Sequence, residues 1–320
     1  MITRVTQHML VGRELSSIGT ASTRMSAAQE QMTTGRRINR PSDAPADTTV
    51  ALKARAGIAQ NEQYQRNAQD GTAWLSTIDT TLTNMTSMVR RAYTLAVAGA
   101  NTATNSQTSE NANADEVDQI LQSVLGLSNA TYLGRPVFGG TTGGDAAYKQ
   151  VSVTDPSDPT KTISQVQYAG NDGKVERRVG DGTVVRVDSE GSSVFGPTGT
   201  VDATGVTTPG DSVFDHLQQL STALRSSDNV GIQKAIGDLT NDMDRFSSAA
   251  ANEGARMKQI DTAVSVSQDT TLALQKAKSD VEDVDVAEAT ITMQSMTAAY
   301  QAALMAVGKS TQQSLLDFLR

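Results

Sequence analysis

The chain contains no cysteine, so neither disulfides nor thiolate-bound metals contribute to it, and pairing says nothing of a redox compartment. Aromatic residues are 4% of its 320 residues and hydrophobic ones 38%. Such material favours extended bundles over one globule, because Ala, Thr, Ser and Gln recur throughout, as in long helices that pack small faces together. Basic runs are missing. The formal charge of -8 is spread thinly, which argues against nucleic acid or an anionic membrane as partner. Long apolar runs are absent from the N-terminal stretch MITRVTQHMLVGRELSSIG, so neither a signal-peptide core nor a membrane span is expected there, and export needs another route.

Catalytic constellations are as scarce. The two histidines, His8 and His216, have no neighbours at metal-ligand spacing, and packing or surface roles are expected for both. Gly308-Lys309-Ser310 resembles the end of a phosphate loop, but the required upstream glycine is Ala303. Glycines 139, 140, 143 and 144 lack the dinucleotide spacing. Asp155, Asp158, Asp172 and Asp181 fall in no calcium-loop pattern, and turn chemistry suits them. No enzyme activity, cofactor or metal is expected.

What is present is helical periodicity. From Val50 through Ala54, Gly57, Asn61, Tyr64, Ala68, Gly71, Leu75, Ile78, Leu82, Met85, Val89 and Ala92 to Ala96, positions alternate by four and three, placing one long helix before Gly99. Val117, Ile120, Leu121, Val124 and Leu127 mark a shorter one. A second long track runs Ile232, Ile236, Leu239, Met243, Phe246, Ala250, Met257, Ile260, Val264, Leu274 and Val281, with Glu253, Ser267, Thr271 and Lys278 expected to weaken its packing. Between the tracks, residues 139 to 210 turn to Gly, Pro, Asp and β-branched types, with turn signals at 170 to 173 and 180 to 182.

The termini carry weaker seams. Val11, Leu15, Ile18, Met25 and Met32 lie at one end, and Met293, Tyr300, Leu304 and Val307 at the other, with Ser22, Gln29, Thr290 and Thr297 between them. Seams this poor in apolar surface predict ends that gain order on packing against other helices. The expected fold is mainly α with a β-rich insertion: paired, coiled-coil-like terminal helices at 1 to 36 and 287 to 320, a helical bundle at 45 to 138 and 211 to 279, and a small outer β domain at 139 to 210. Connectors at 37 to 44 and 280 to 286 join them. In the first, Pro41 disfavours helix in Arg40, Ser42 is placed to cap the next helix and Pro45 suits its first turn.

At that connector, Arg37-Ile38-Asn39-Arg40-Pro41-Ser42-Asp43-Ala44-Pro45-Ala46 resembles the RIN-x-PSDDPA signature of the flagellin family, with Ala44 in place of the second acid. Asn67, Gly71, Leu75, Asp79 and Leu82 continue the likeness, as do the run Asn129 to Thr141 and the ending Ser314 to Leu319. Within the family, Phe138 to Thr141, the insertion Tyr168 to Phe195 and that ending look more like the hook-associated protein 3 branch than filament flagellin. The resemblance implies self-assembly in a ring of copies between hook-associated protein 1 and flagellin. It also implies extracellular placement in the flagellum after export without a cleaved signal peptide, and a cytoplasmic export chaperone on the C-terminal segment. On it, Val11, Leu15, Ile18, Met25, Met32, Met293, Tyr300, Leu304, Val307, Leu315 and Leu316 form the assembly interface, and Asn39, Pro41, Ser42, Asp43 and Pro45 the connector. A minor filament flagellin, or a secreted adhesin presenting residues 139 to 210, are the rival readings.

Overall fold

The computed structural model describes residues 2 to 318 apart from 102 to 105, 145, 156 to 157, 202 to 206 and 209; the side chains of 2 to 8, 10 to 11, 154 to 163, 200 to 201, 207 to 208 and 310 to 318 also lie outside it. Seven helices account for most of the described chain: α1 (Ile2–Thr34), α2 (Pro45–Gly99), α3 (Gln107–Ser128), the short α4 (Gly191–Phe195), α5 (Val213–Arg225), α6 (Asn229–Glu282) and α7 (Val286–Phe318). Among the described residues the strands form four separate antiparallel pairs: β1 (Thr131–Tyr132) with β2 (Arg135–Pro136), β3 (Tyr148–Asp155) with β4 (Asp158–Tyr168), β5 (Glu176–Gly180) with β6 (Thr183–Arg186), and β7 (Thr200–Val201) with β8 (Thr207–Thr208). No described helix is long and apolar enough to cross a membrane.

Two compact units divide the chain at positions the periodicity does not mark, one being Met1–Asn61 with Gln268–Arg320, the other Glu62–Ser267. The whole core cluster, from Ala68 to Ile260, belongs to the second. Its spine is the expected face of α2, where Leu75, Ile78, Leu82, Met85, Val89, Ala92 and Ala96 are buried, whereas Val50 at the head of that track is exposed. A Cβ at Gly71 would stand 3.2 Å from Ile260, and one at Gly99 would meet Leu224 and, at 3.7 Å, Ile232. From 71 to 99 along α2 and from 260 to 232 along α6 are equal and opposite steps of four heptads. The two helices therefore run antiparallel in coiled-coil register within this unit.

The stretch 139 to 210 shares that core instead of building its own. Phe195 meets Phe138, Tyr148, Phe214 and Phe246 at centroid distances of 4.9, 5.2, 5.8 and 5.9 Å, so one aromatic knot gathers the hairpins, α5 and α6. Through β6 and just past it Val184 is exposed while Val185 and Val187 are buried, but the alternation stops at Asp188, which is buried too. Two-stranded ribbons of this length are marginal by themselves, which explains why they lean on the helices.

Candidate assembly interface

In the first unit α1 packs against α7. The sheltered positions include Glu14, Ile18, Ala21, Met25 and Ala28 on α1, and Ala289, Met293, Met296, Tyr300, Ala303 and Val307 on α7, both at four-three spacing. Expectation and structure share Ile18, Met25, Met293, Tyr300 and Val307. At the alternate positions Ala28 and Ala289 are buried and Ala21 and Ala303 half-buried; of the residues expected there, Ser22, Thr290 and Thr297 are half-buried as well, while Gln29 and Leu304 are exposed. Leu15 and Leu304, placed in the seam by periodicity, are 61% and 44% exposed, and Met32 lies at its rim, with Thr290 Oγ1 3.6 Å from its sulfur. Alanine lets two backbones approach more closely than leucine does, so the intramolecular pair uses the small face. The larger side chains Met9, Leu15, Ile291, Leu304 and Met305 stay outside. The side chains of Val11, Leu315 and Leu316 lie outside the described residues.

α1 stops at Gly35, whose φ of +68° is a left-handed cap that glycine adopts without strain; its amide donates to the Gln31 carbonyl at 2.9 Å. The connector then pairs with the end of α6: the Arg37 amide donates to the Glu282 carbonyl at 2.7 Å, and the Val284 amide to that of Gly35 at 3.1 Å. Residues 280 to 282 are still helical, so the return connector is shorter than the acidic run suggests. Asp43 shapes the outgoing loop, its Oδ2 accepting from the amides of Asn39 and Arg40 at 3.1 and 2.7 Å. The Asn39 amide group reaches the Arg36 carbonyl at 3.3 Å. Pro45 takes the first helical position of α2, but the cap position before it is Ala44; Ser42, expected as the cap, sits in the turn 41 to 43. Glu282, with 3% of its side chain exposed, offers Oε1 to both Arg36 (3.3 Å) and Arg55.

The second unit holds polar clusters that the sequence reading missed. His216 is buried with Nδ1 2.7 Å from Asp242 and Nε2 3.1 Å from Asp211, and Arg245 holds Asp211 at 2.6 Å. Burial alone would lower the imidazole's pKa, but the hydrogen bond and charge of Asp242, helped by Asp238 and Asp211, hold it above the ordinary value. The visible signal was an aspartate at 242, one residue from a seam position, while Asp215 beside the histidine serves the capping box of α5 with Ser212. Glu253, expected to weaken packing, is buried with Ser189 Oγ and Arg256 Nη1 each 3.0 Å from its Oε1. Burial raises its pKa. Among the described residues no group of acids and histidines is placed to hold a metal.

Residues 6 to 142 match the family model of the bacterial flagellin N-terminal helical region, and residues 234 to 319 that of the C-terminal helical region. Flagellin of Bacillus subtilis is 23% identical over 314 residues, 96% of this chain and 97% of that one. Flagellar hook-associated protein 3 of Salmonella typhimurium is 23% identical over 298 residues, 88% of this chain and 89% of that one. Among solved structures, a putative flagellar hook-associated protein from Vibrio parahaemolyticus matches with a TM-score of 0.61 at 17% identity, covering 75% of this chain and all of that one.

Proposed function

This chain belongs to the bacterial flagellin family, and we propose that within it the protein is a junction subunit that joins hook-associated protein 1 to the flagellin filament. The observation that carries this reading is the terminal pair, whose small faces meet each other while Leu15, Ile291, Leu304 and Met305 face outward. Apolar side chains left exposed on a helical pair suit burial against further helices. Copies of the chain supply those helices in a ring, hook-associated protein 1 lies on one side and flagellin on the other. The subunit reaches the extracellular flagellum without a cleaved signal peptide, its C-terminal segment held by a cytoplasmic export chaperone until then. Likeness to a hook-associated protein 3 over 88% of the chain, and a fold shared with a hook-associated structure, support the subtype.

Deleting residues 287 to 320 is the test: the remainder is expected to stay a folded monomer that no longer attaches filaments to hooks, and normal attachment would refute the reading. Leu304→Asp should do the same by a lighter change. Its side chain is already exposed in the single chain, so monomer stability should move by less than about 0.5 kcal/mol. A charge buried between copies is costly, and attachment should be lost. The longer match to a flagellin, over 96% of this chain against 88%, favours a second reading, a minor filament subunit. Purified protein that elongates on flagellar seeds supports that one, and failure to elongate supports the junction.

A further inference from the structure

Three aspartates of the second unit stand directly before a glycine, in Asp70-Gly71, Asp172-Gly173 and Asp181-Gly182. Such a pair is open to a spontaneous ring closure, because glycine has no Cβ to hinder its own amide nitrogen as that nitrogen nears the aspartate's carboxyl carbon. The fold treats the three differently. Gly71 lies inside α2, where its amide belongs to the helical ladder, and Asp70 is held at both oxygens, by Arg177 Nε at 2.6 Å and the Tyr132 hydroxyl at 3.2 Å. Gly173 donates its amide to Asn171 Oδ1 at 3.0 Å, the oxygen that also takes the Thr141 amide at 2.9 Å, and a Cβ at Gly173 would collide with Thr141. Both pairs are fastened. Asp181 and Gly182 are not: they form the tip between β5 and β6, where Gly180 pairs with Thr183. The Asp181 side chain is 92% exposed, and Arg178 reaches it at 3.2 Å from a side chain itself 55% exposed, a contact worth little in water. Among the described residues the Gly182 amide makes no backbone hydrogen bond. A Cβ at Gly182 would find nothing within 4 Å, so this peptide turns without displacing a neighbour.

We propose that Asp181-Gly182 is a modification site at which the folded protein forms isoaspartate. The Gly182 nitrogen attacks Cγ of the Asp181 carboxyl group. A carbon to nitrogen bond forms, the carboxyl hydroxyl leaves with the amide proton as water, and a cyclic imide results. Water then opens the imide, at the Cγ carbonyl to restore aspartate or at the main-chain carbonyl to leave isoaspartate. No oxidant or cofactor takes part, and the product has the mass of the starting chain. Its backbone is one carbon longer at the hairpin tip, beside the Gly180 to Thr183 pair. That hairpin is tied to α2 by Asn67 Nδ2, 2.8 Å from the Arg178 carbonyl, and by Arg177 on Asp70. The change therefore falls on a segment that clasps the main helix of the second unit, and it accumulates with the age of the protein.

The experiment keeps the full-length protein folded in neutral buffer for weeks, and a second sample unfolded in concentrated urea. Isoaspartate is located by electron-transfer fragmentation and counted by methyl transfer from an isoaspartyl methyltransferase. In urea the three pairs should react at similar rates. In the folded protein position 181 should react at least about tenfold faster than 70 and 172, a difference that asks for only about 1.4 kcal/mol more restraint at those two. Asp181→Asn, a change on an exposed turn, closes the same ring with loss of ammonia and should accumulate isoaspartate at 181 sooner still. Equal rates at the three pairs in the folded protein, or a preference for 172, overturn the proposal. So does a preference for 181 that is as large in urea, since the fold would then not select it, and so does a folded Asp181→Asn protein that forms no isoaspartate at 181.

Discussion

Glycine does opposite work in the two helical pairs. In α1, Gly12 and Gly19 have nothing within 4 Å of where a Cβ would stand, so each lowers helix propensity and gains no packing in return. In the second unit, Gly71 and Gly99 are contact points where Val187, Ile260 and Leu224 press against the backbone. Burial follows the same line. Along the described parts of α1 and α7 only Ala28 and Ala289 are buried, whereas the second unit encloses Trp74, Leu82, Met85, Phe195, Phe214 and Phe246 almost completely. One pair is held by its own core. The other is helical in form but buries little, and its marginal stability alone is what nucleation costs lead one to expect.

That contrast breaks most severely in the aromatic knot. Phe195→Ala removes a fully buried ring that touches four others, and should cost about 3 to 5 kcal/mol of global stability. Urea unfolding followed on the second unit would show it; a loss below about 1 kcal/mol would mean the knot is loosely packed.

A smaller effect is expected at His216. Its folded pKa lies above 6.5, so the folded state holds the proton more tightly than the unfolded chain. The contribution is complete below the unfolded value and is lost as pH rises through the folded one. Stability should therefore fall on going from mildly acidic to alkaline buffer, and His216→Asn should flatten that part of the profile while lowering stability at the acidic end. An unchanged slope in the variant would assign the pH dependence to other groups.

The smallest change sharpens the contrast from the other side. Gly12→Ala with Gly19→Ala meets no steric opposition and should strengthen α1 by roughly 0.5 to 1 kcal/mol per site. Far-ultraviolet circular dichroism of the monomer should show added helix, with the unfolding midpoint of the second unit unmoved. A shift of that midpoint would mean the ends and the body do not melt separately.

Much of this was legible in the residues. The stretch from Leu75 to Ala96 declares its buried face because large apolar side chains alternate with polar ones at helical spacing, and the Gly35 and Pro45 boundaries follow from backbone sterics. The seam of the terminal pair was harder to read, since Ala beside Leu gives two acceptable stripes one residue apart, and only the closeness of approach selects between them. Half-burial at Ala303 and exposure at Leu304 are the two sides of that choice. The Asp211, His216 and Asp242 cluster was not legible because its members lie on separate segments, and no spacing rule links 216 to 242. Asp43 outweighs Ser42 in the connector for a similar reason: the loop folds its carboxylate back onto the amides of Asn39 and Arg40, which a cap search directed forward along the helix does not test.

The central claim is that the second unit stands alone while the terminal pair takes its stability from other copies. Amide hydrogen exchange, measured on the monomer and again on the assembled protein, tests it most directly. The account predicts slow exchange in α2, α3, α5 and α6 within the second unit in both states, and fast exchange in α1 and α7 that becomes slow only on assembly. Equal protection of the terminal helices and the second unit in the monomer would contradict it.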